Sequence, residues 1–175
     1  MIRVLVAEDM RILRDTLVSV LNLEDDIKVV AQVAVGTGIV PAALEERPDL
    51  AVLDIDLPGL DGITAAARLH ERLPACRVVI LTVLGRPGQL RAALDAHVAG
   101  FIVKDAPSDQ LIDVLRKVAA GERVIDQKLA LAALEMKESP LSDRETDVLR
   151  RFAAGADLQQ PGTVPATSRR ELYAA

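Results

Sequence analysis

Five short, nearly unbroken apolar runs constrain the fold most. They are Ile2 to Ala7, Val29 to Val33, Leu50 to Leu53, Val78 to Leu81 and Phe101 to Val103. Runs of this length without polar alternation belong to strands covered on both faces, as in a parallel sheet. Segments of helical spacing separate them. Arg11 to Leu23 carries Ile12, Leu13, Leu17, Val20 and Leu21 on one stripe. Ile39 to Glu46, Gly62 to Arg72, Gly88 to Ala96 and Ser108 to Ala119 follow. Ser108 is suited to cap the last of these, and Gly121 to end it. The alternation predicts an α/β fold, a (βα)5 doubly wound parallel sheet with helices on both faces. Half the residues are hydrophobic but only 2% are aromatic. The core is therefore packed from Val, Leu, Ile and Ala.

The third run ends in Asp54, followed by Ile55, Asp56, Leu57, Pro58 and Gly59. A carboxylate at the tip of an oily strand is costly unless it meets a partner or water. In a parallel sheet all strand C-termini share one edge, where ligands bind. At that edge the first strand delivers Glu8 and Asp9, the third Asp54, the fourth Thr82 and the fifth Lys104. Three carboxylates held together raise one another's pKa or call for a cation. Mg²⁺ is served by one or two carboxylates, waters and a phosphate. With an ammonium and a hydroxyl added, the set suits a transferring phosphoryl group with a carboxylate as nucleophile.

Glu8-Asp9, Asp54, Thr82 and Lys104, at those strand ends, resemble the receiver domain of two-component response regulators over about residues 1–120. Pro58-Gly59 resembles the family's turn after the phosphorylated aspartate. Gly100-Phe101-Ile102-Val103-Lys104-Asp105 resembles a motif of the NarL/FixJ subfamily. Leu23 to Asp26 and Gly85 to Gly88 resemble a desaturase-controlling member of that subfamily. The resemblance implies a flavodoxin-like strand order 2-1-3-4-5. It implies phosphoryl transfer from a sensor histidine kinase to Asp54, with Thr82 and Lys104 assisting. It also implies Mg²⁺ held by Glu8, Asp9, Asp54 and the backbone carbonyl of Asp56. Phe101 would be the switch aromatic, and phosphorylation would drive a homodimer. The expected role is a transcription regulator rather than an enzyme acting on an external substrate. A stand-alone receiver acting by protein contact or as a phosphate sink is the alternative. A metal-dependent aspartyl-phosphate phosphatase is disfavoured, because such enzymes carry the nucleophile after the first strand with an acid two residues on, where Arg11 stands.

Several other classes lose support. The formal charge of −5 gives no general attraction to nucleic acid or acidic membrane. The single cysteine, Cys76, leaves no disulfide framework or Cys-based metal site. Glu8 and Asp9 come too early for a signal peptide, and a cytoplasmic location is expected. Gly36-Thr37-Gly38 is too short for a dinucleotide fingerprint. His70 and His97 read as surface residues without partners.

The pattern changes after Gly121. Residues 121–139 read as a linker helix, Ala- and Leu-rich from Asp126 to Lys137 and broken at Ser139-Pro140. Residues 140–155, with Ser142 and Glu145 as a capping box, resemble the opening helix of a LuxR-type helix-turn-helix domain. Residues 156–175 read as an irregular tail, with Pro165 obstructing a recognition helix. From 140 to 175 five arginines face five acids, Arg144, Arg150, Arg151, Arg169 and Arg170 against Asp143, Glu145, Asp147, Asp157 and Glu171. No basic footprint remains. The expectation is an intact receiver with a truncated or frame-shifted output module, its DNA binding lost.

Overall fold

A computed structural model describes residues 1–83, 88–127, 129–131 and 143–155. Six parallel strands form one sheet: β1 (Ile2–Ala7), β2 (Ile27–Val33), β3 (Leu50–Asp54), β4 (Arg77–Thr82), β5 (Gly100–Val103) and β6 (Val124–Ile125). Their spatial order is β2-β1-β3-β4-β5-β6. The helices are α1 (Arg11–Leu21), α2 (Ile39–Glu46), α3 (Gly62–Arg72), α4 (Gly88–Asp95), α5 (Ser108–Ala119) and α6 (Asp143–Ala153).

Alternation along the strands sorts the core into two layers. Val4, Val6, Val52 and Val79 pack toward Leu21 of α1 and Leu111, Leu115 and Val118 of α5. Leu5, Ala7, Leu53 and Ile80 pack toward α2, α3 and α4 through Ile39, Ala65, Leu69 and Leu90. Every residue of β3 is buried, which accounts for its lack of polar alternation. Leu149 and Phe152 of α6 join the second layer, so this helix is docked on the sheet domain.

The doubly wound parallel sheet predicted above is observed, and three details differ. A sixth strand, β6, pairs with β5 through Gly100 to Val124 and Phe101 to Ile125, beyond the five-stranded expectation. Two residues are too few to show a period. The N-cap of α5 is Pro107, which makes no side-chain cap bond, and Ser108 is already helical. The linker helix expected over residues 121–139 does not start at 121: residues 121–126 hold a turn and β6, taken up by pairing with β5, and helix is seen at residues 127 and 129–131. Residues 128 and 132–142, Ser142 among them, and the tail from 156 to 175 lie outside the described residues.

Asp61 caps α3, accepting from the Thr64 amide at 2.9 Å. Capping brings the helix start against the back of β3. A Cβ on Gly62 would collide with the Asp54 carbonyl, whereas one on Gly88 at the start of α4 meets nothing within 4 Å. Gly62→Ala should therefore destabilise the protein by about 1–3 kcal/mol through overpacking. Gly88→Ala should be neutral or stabilise by up to about 1 kcal/mol. Urea denaturation of both variants checks the contrast.

Candidate functional site

Register brings the strand-end residues together. Ala7 of β1 is level with Leu53 of β3, so the next residues, Glu8 and Asp54, emerge side by side. Asp54 is level with Leu81, and Thr82 with Val103, which places Lys104 just beyond. Carboxylate oxygens of Glu8, Asp9 and Asp54 all lie within 4.8 Å of one another. Glu8 is fully buried, Asp54 nearly so, and Asp9 is exposed.

Lys104 ties the cluster. Its Nζ lies 2.9 Å from Glu8 Oε2 and 3.0 Å from Asp54 Oδ2. Burial disfavours the ammonium, but its bonds to Glu8 and Asp54 outweigh that and hold its pKa above the usual lysine range. Burial is also the main influence on Glu8. With the Asp54 charge it lifts the Glu8 carboxyl above the ordinary range, against the lowering effect of Lys104 and the Met10 amide. One ammonium thus faces three carboxylates, and two negative charges are left over. That donor set, hard oxygens around an open mouth with Asp9 at the solvent, fits a hard divalent cation.

The remaining expected residues are placed as follows. Thr82 is buried, its hydroxyl donates to the Val83 carbonyl at 3.3 Å, and its own carbonyl accepts from the Lys104 amide at 2.7 Å. The side chain of Asp56 is exposed. Phe101 is buried among the second-layer core residues. Arg14 was not expected at the site, yet it donates to the Glu8 carbonyl at 2.7 Å and steadies the Glu8-Asp9 turn. It lies on the face of α1 that carries Val18 and buried Leu21, four and seven residues on, a spacing that marks it as partly buried but does not name its partner. His70 and His97, read as unpartnered, stack with ring centroids 4.3 Å apart and planes 21° apart. Nearly parallel rings do not converge their nitrogens on one ion, so the pair is no metal site. No helix among the described residues is long and apolar enough to cross a membrane.

Residues 4–116 match the model for the response regulator receiver domain. The chain belongs to that family. Transcriptional regulatory protein DesR of Bacillus subtilis (strain 168) is 37% identical over 160 residues, covering 91% of this chain and 79% of DesR. A LuxR-family DNA-binding response regulator from Staphylococcus aureus superposes with TM-score 0.65 at 26% identity, over 68% of this chain and 99% of that one. The signal receiver domain of the response regulator NarL from Mycobacterium tuberculosis gives 0.66 at 28% identity, over 69% and 97%. The expected LuxR-type response-regulator identity, and with it a place in two-component signalling and transcription regulation, is borne out.

The raised Glu8 carboxyl has a consequence for stability. The folded protein binds this proton more tightly than the unfolded chain does. The Glu8 contribution is therefore favourable below its ordinary value of 4.5 and is lost as pH rises through the raised one. In metal-free buffer Glu8→Gln should melt higher than wild type at pH 7, and the difference should vanish near pH 4. Melting curves of both proteins at the two pH values check this.

Proposed function

We propose that Asp54 is a phosphoacceptor: a histidine kinase transfers a phosphoryl group to it in a Mg²⁺-dependent step, and the product switches a dimerisation surface that governs transcription. The observation that carries this is the lysine-bridged carboxylate cluster at the strand ends. In the transfer, an Asp54 oxygen bonds to phosphorus as the bond from phosphorus to the donor histidine nitrogen breaks. The departing imidazole keeps the electron pair and takes up a proton. Lys104 holds Oδ2, which leaves Oδ1 to attack, and it is placed to neutralise the oxygens of the incoming group. Glu8, Asp9, Asp54 and the backbone carbonyl of Asp56 would hold the cation, which supplies charge neutralisation at the phosphoryl oxygens. The Thr82 hydroxyl would leave the Val83 carbonyl for the phosphoryl group, and Phe101 behind it would report the change.

The reading assigns no turnover of an external substrate. It places the receiver at about residues 1–120, with the linker and the α6 region following. DNA recognition by this chain alone is a weaker expectation, since charges cancel from 140 to 175. Action by protein contact, through a partner regulator or competition for kinase phosphate, is the second reading.

Incubation with Mg²⁺ and a small phosphodonor, followed by intact mass, tests the proposal. One added phosphoryl group is expected in wild type and none in Asp54→Asn, with a shift to dimer on size exclusion. Equal uptake by Asp54→Asn would overturn the assignment. The same phosphorylated sample should give no sequence-specific mobility shift with promoter DNA at moderate salt. Tight specific binding would favour direct DNA recognition over the second reading.

A further inference from the structure

The sheet edge opposite to the carboxylates carries a second concentration of charge, of the other sign. Two clefts meet there. One, of about 380 Å³, is lined by His70, Arg77, His97 and Arg123 among others. The other, of about 700 Å³, runs between α4 and α6. They share His97 and Arg123. Arg77 opens β4, Arg123 immediately precedes β6, and Arg144 sits in the first turn of α6. The charged lining is Arg77, Arg91, Arg123 and Arg144 against Asp95 and Glu145, a local excess of two positive charges on a chain of net −5.

The arginines are not equivalent. Arg91 pairs with Glu145 at 3.6 Å. Half-buried Arg123 donates to the Val98 carbonyl at 3.2 Å and makes no ion pair among the described residues. Burial, and after it the charge of Arg144, disfavours its protonated guanidinium. A half-buried cation beside another cation, with no carboxylate on it, is stabilised by an anion entering the cleft.

We propose that these joined clefts bind a compact phosphate-bearing anion, a pyrophosphate group carried free or on a nucleotide, at the Arg123 they share, with Arg144 in the one cleft and Arg77 in the other. Guanidinium forks suit phosphate oxygens. Asp95 and Glu145 in the same cleft disfavour an extended polyanion such as a DNA backbone, which would have to run across them. The His97 ring, stacked on His70, offers the kind of surface on which a nucleobase packs. Two of the arginines come from the sheet domain and one from α6, so an occupied cleft fastens α6 to the receiver.

The test is calorimetric titration of the full chain, in metal-free buffer at constant ionic strength, with sodium pyrophosphate and separately with ADP. Saturable binding is expected for both probes, weakened at least about tenfold in Arg123→Gln and in Arg144→Gln. Arg144 is exposed, so its replacement leaves the fold intact even if Arg123→Gln melts early. Tighter binding of ADP identifies a nucleotide as the source, and equal binding identifies free pyrophosphate. Absence of saturable binding, or binding unchanged in Arg144→Gln, overturns the proposal.

Discussion

The Lys104 ammonium between Glu8 and Asp54 is the contact on which the rest depends. Without it, β1 and β3 would end in two nearly buried carboxylates facing each other. A single cation answering both acids makes that arrangement tolerable and leaves it under-neutralised. The deficit gives the site its chemistry. The cluster can take a divalent cation, and Lys104 is placed to follow charge that arrives on Asp54. The sheet serves the same contact. Parallel pairing brings Glu8, Asp54 and Lys104 to one edge, and the fully buried β3 fixes where Asp54 emerges.

The two sheet edges divide the labour. At the C-terminal edge acids exceed cations, and the proposed switch acts there. At the N-terminal edge cations exceed acids, in the cleft that α6 closes on one side. Leu149 and Phe152 anchor α6 in the same core layer as Phe101 and Leu90. Packing is therefore continuous from Phe101 to α4 and α6. Such layers rearrange between discrete packings rather than deform smoothly.

The fold was legible because a parallel sheet buries both faces of its strands, leaving unbroken runs such as Leu50 to Leu53. The polar strand-end set was legible for the same reason: a carboxylate after such a run needs an explanation. Other features depend on contacts that no local pattern encodes. Val124 and Ile125 form too short a strand to show a period, and they are fixed only by Gly100 and Phe101 alongside. The Asp61 cap had a visible signal, Asp just before Gly62 with Thr64 in the first turn, whereas Ser108 carried the right residue type and lost the position to Pro107. The His70–His97 stack and the Arg123 bond to the Val98 carbonyl join residues far apart in the chain. Their meaning appears only once the edges of the sheet are assembled.

A double-mutant cycle on folding stability, in metal-free buffer at pH 7, tests most directly whether Lys104 holds mutually repelling acids in place. Lys104→Met alone should cost about 2 kcal/mol, by leaving Glu8 and Asp54 without their cation. In the Asp54→Asn background the same substitution should cost less, with a coupling of about 1 kcal/mol or more. Equal costs in the two backgrounds would mean that Lys104 does not bridge the carboxylates in the folded protein, and would contradict the account.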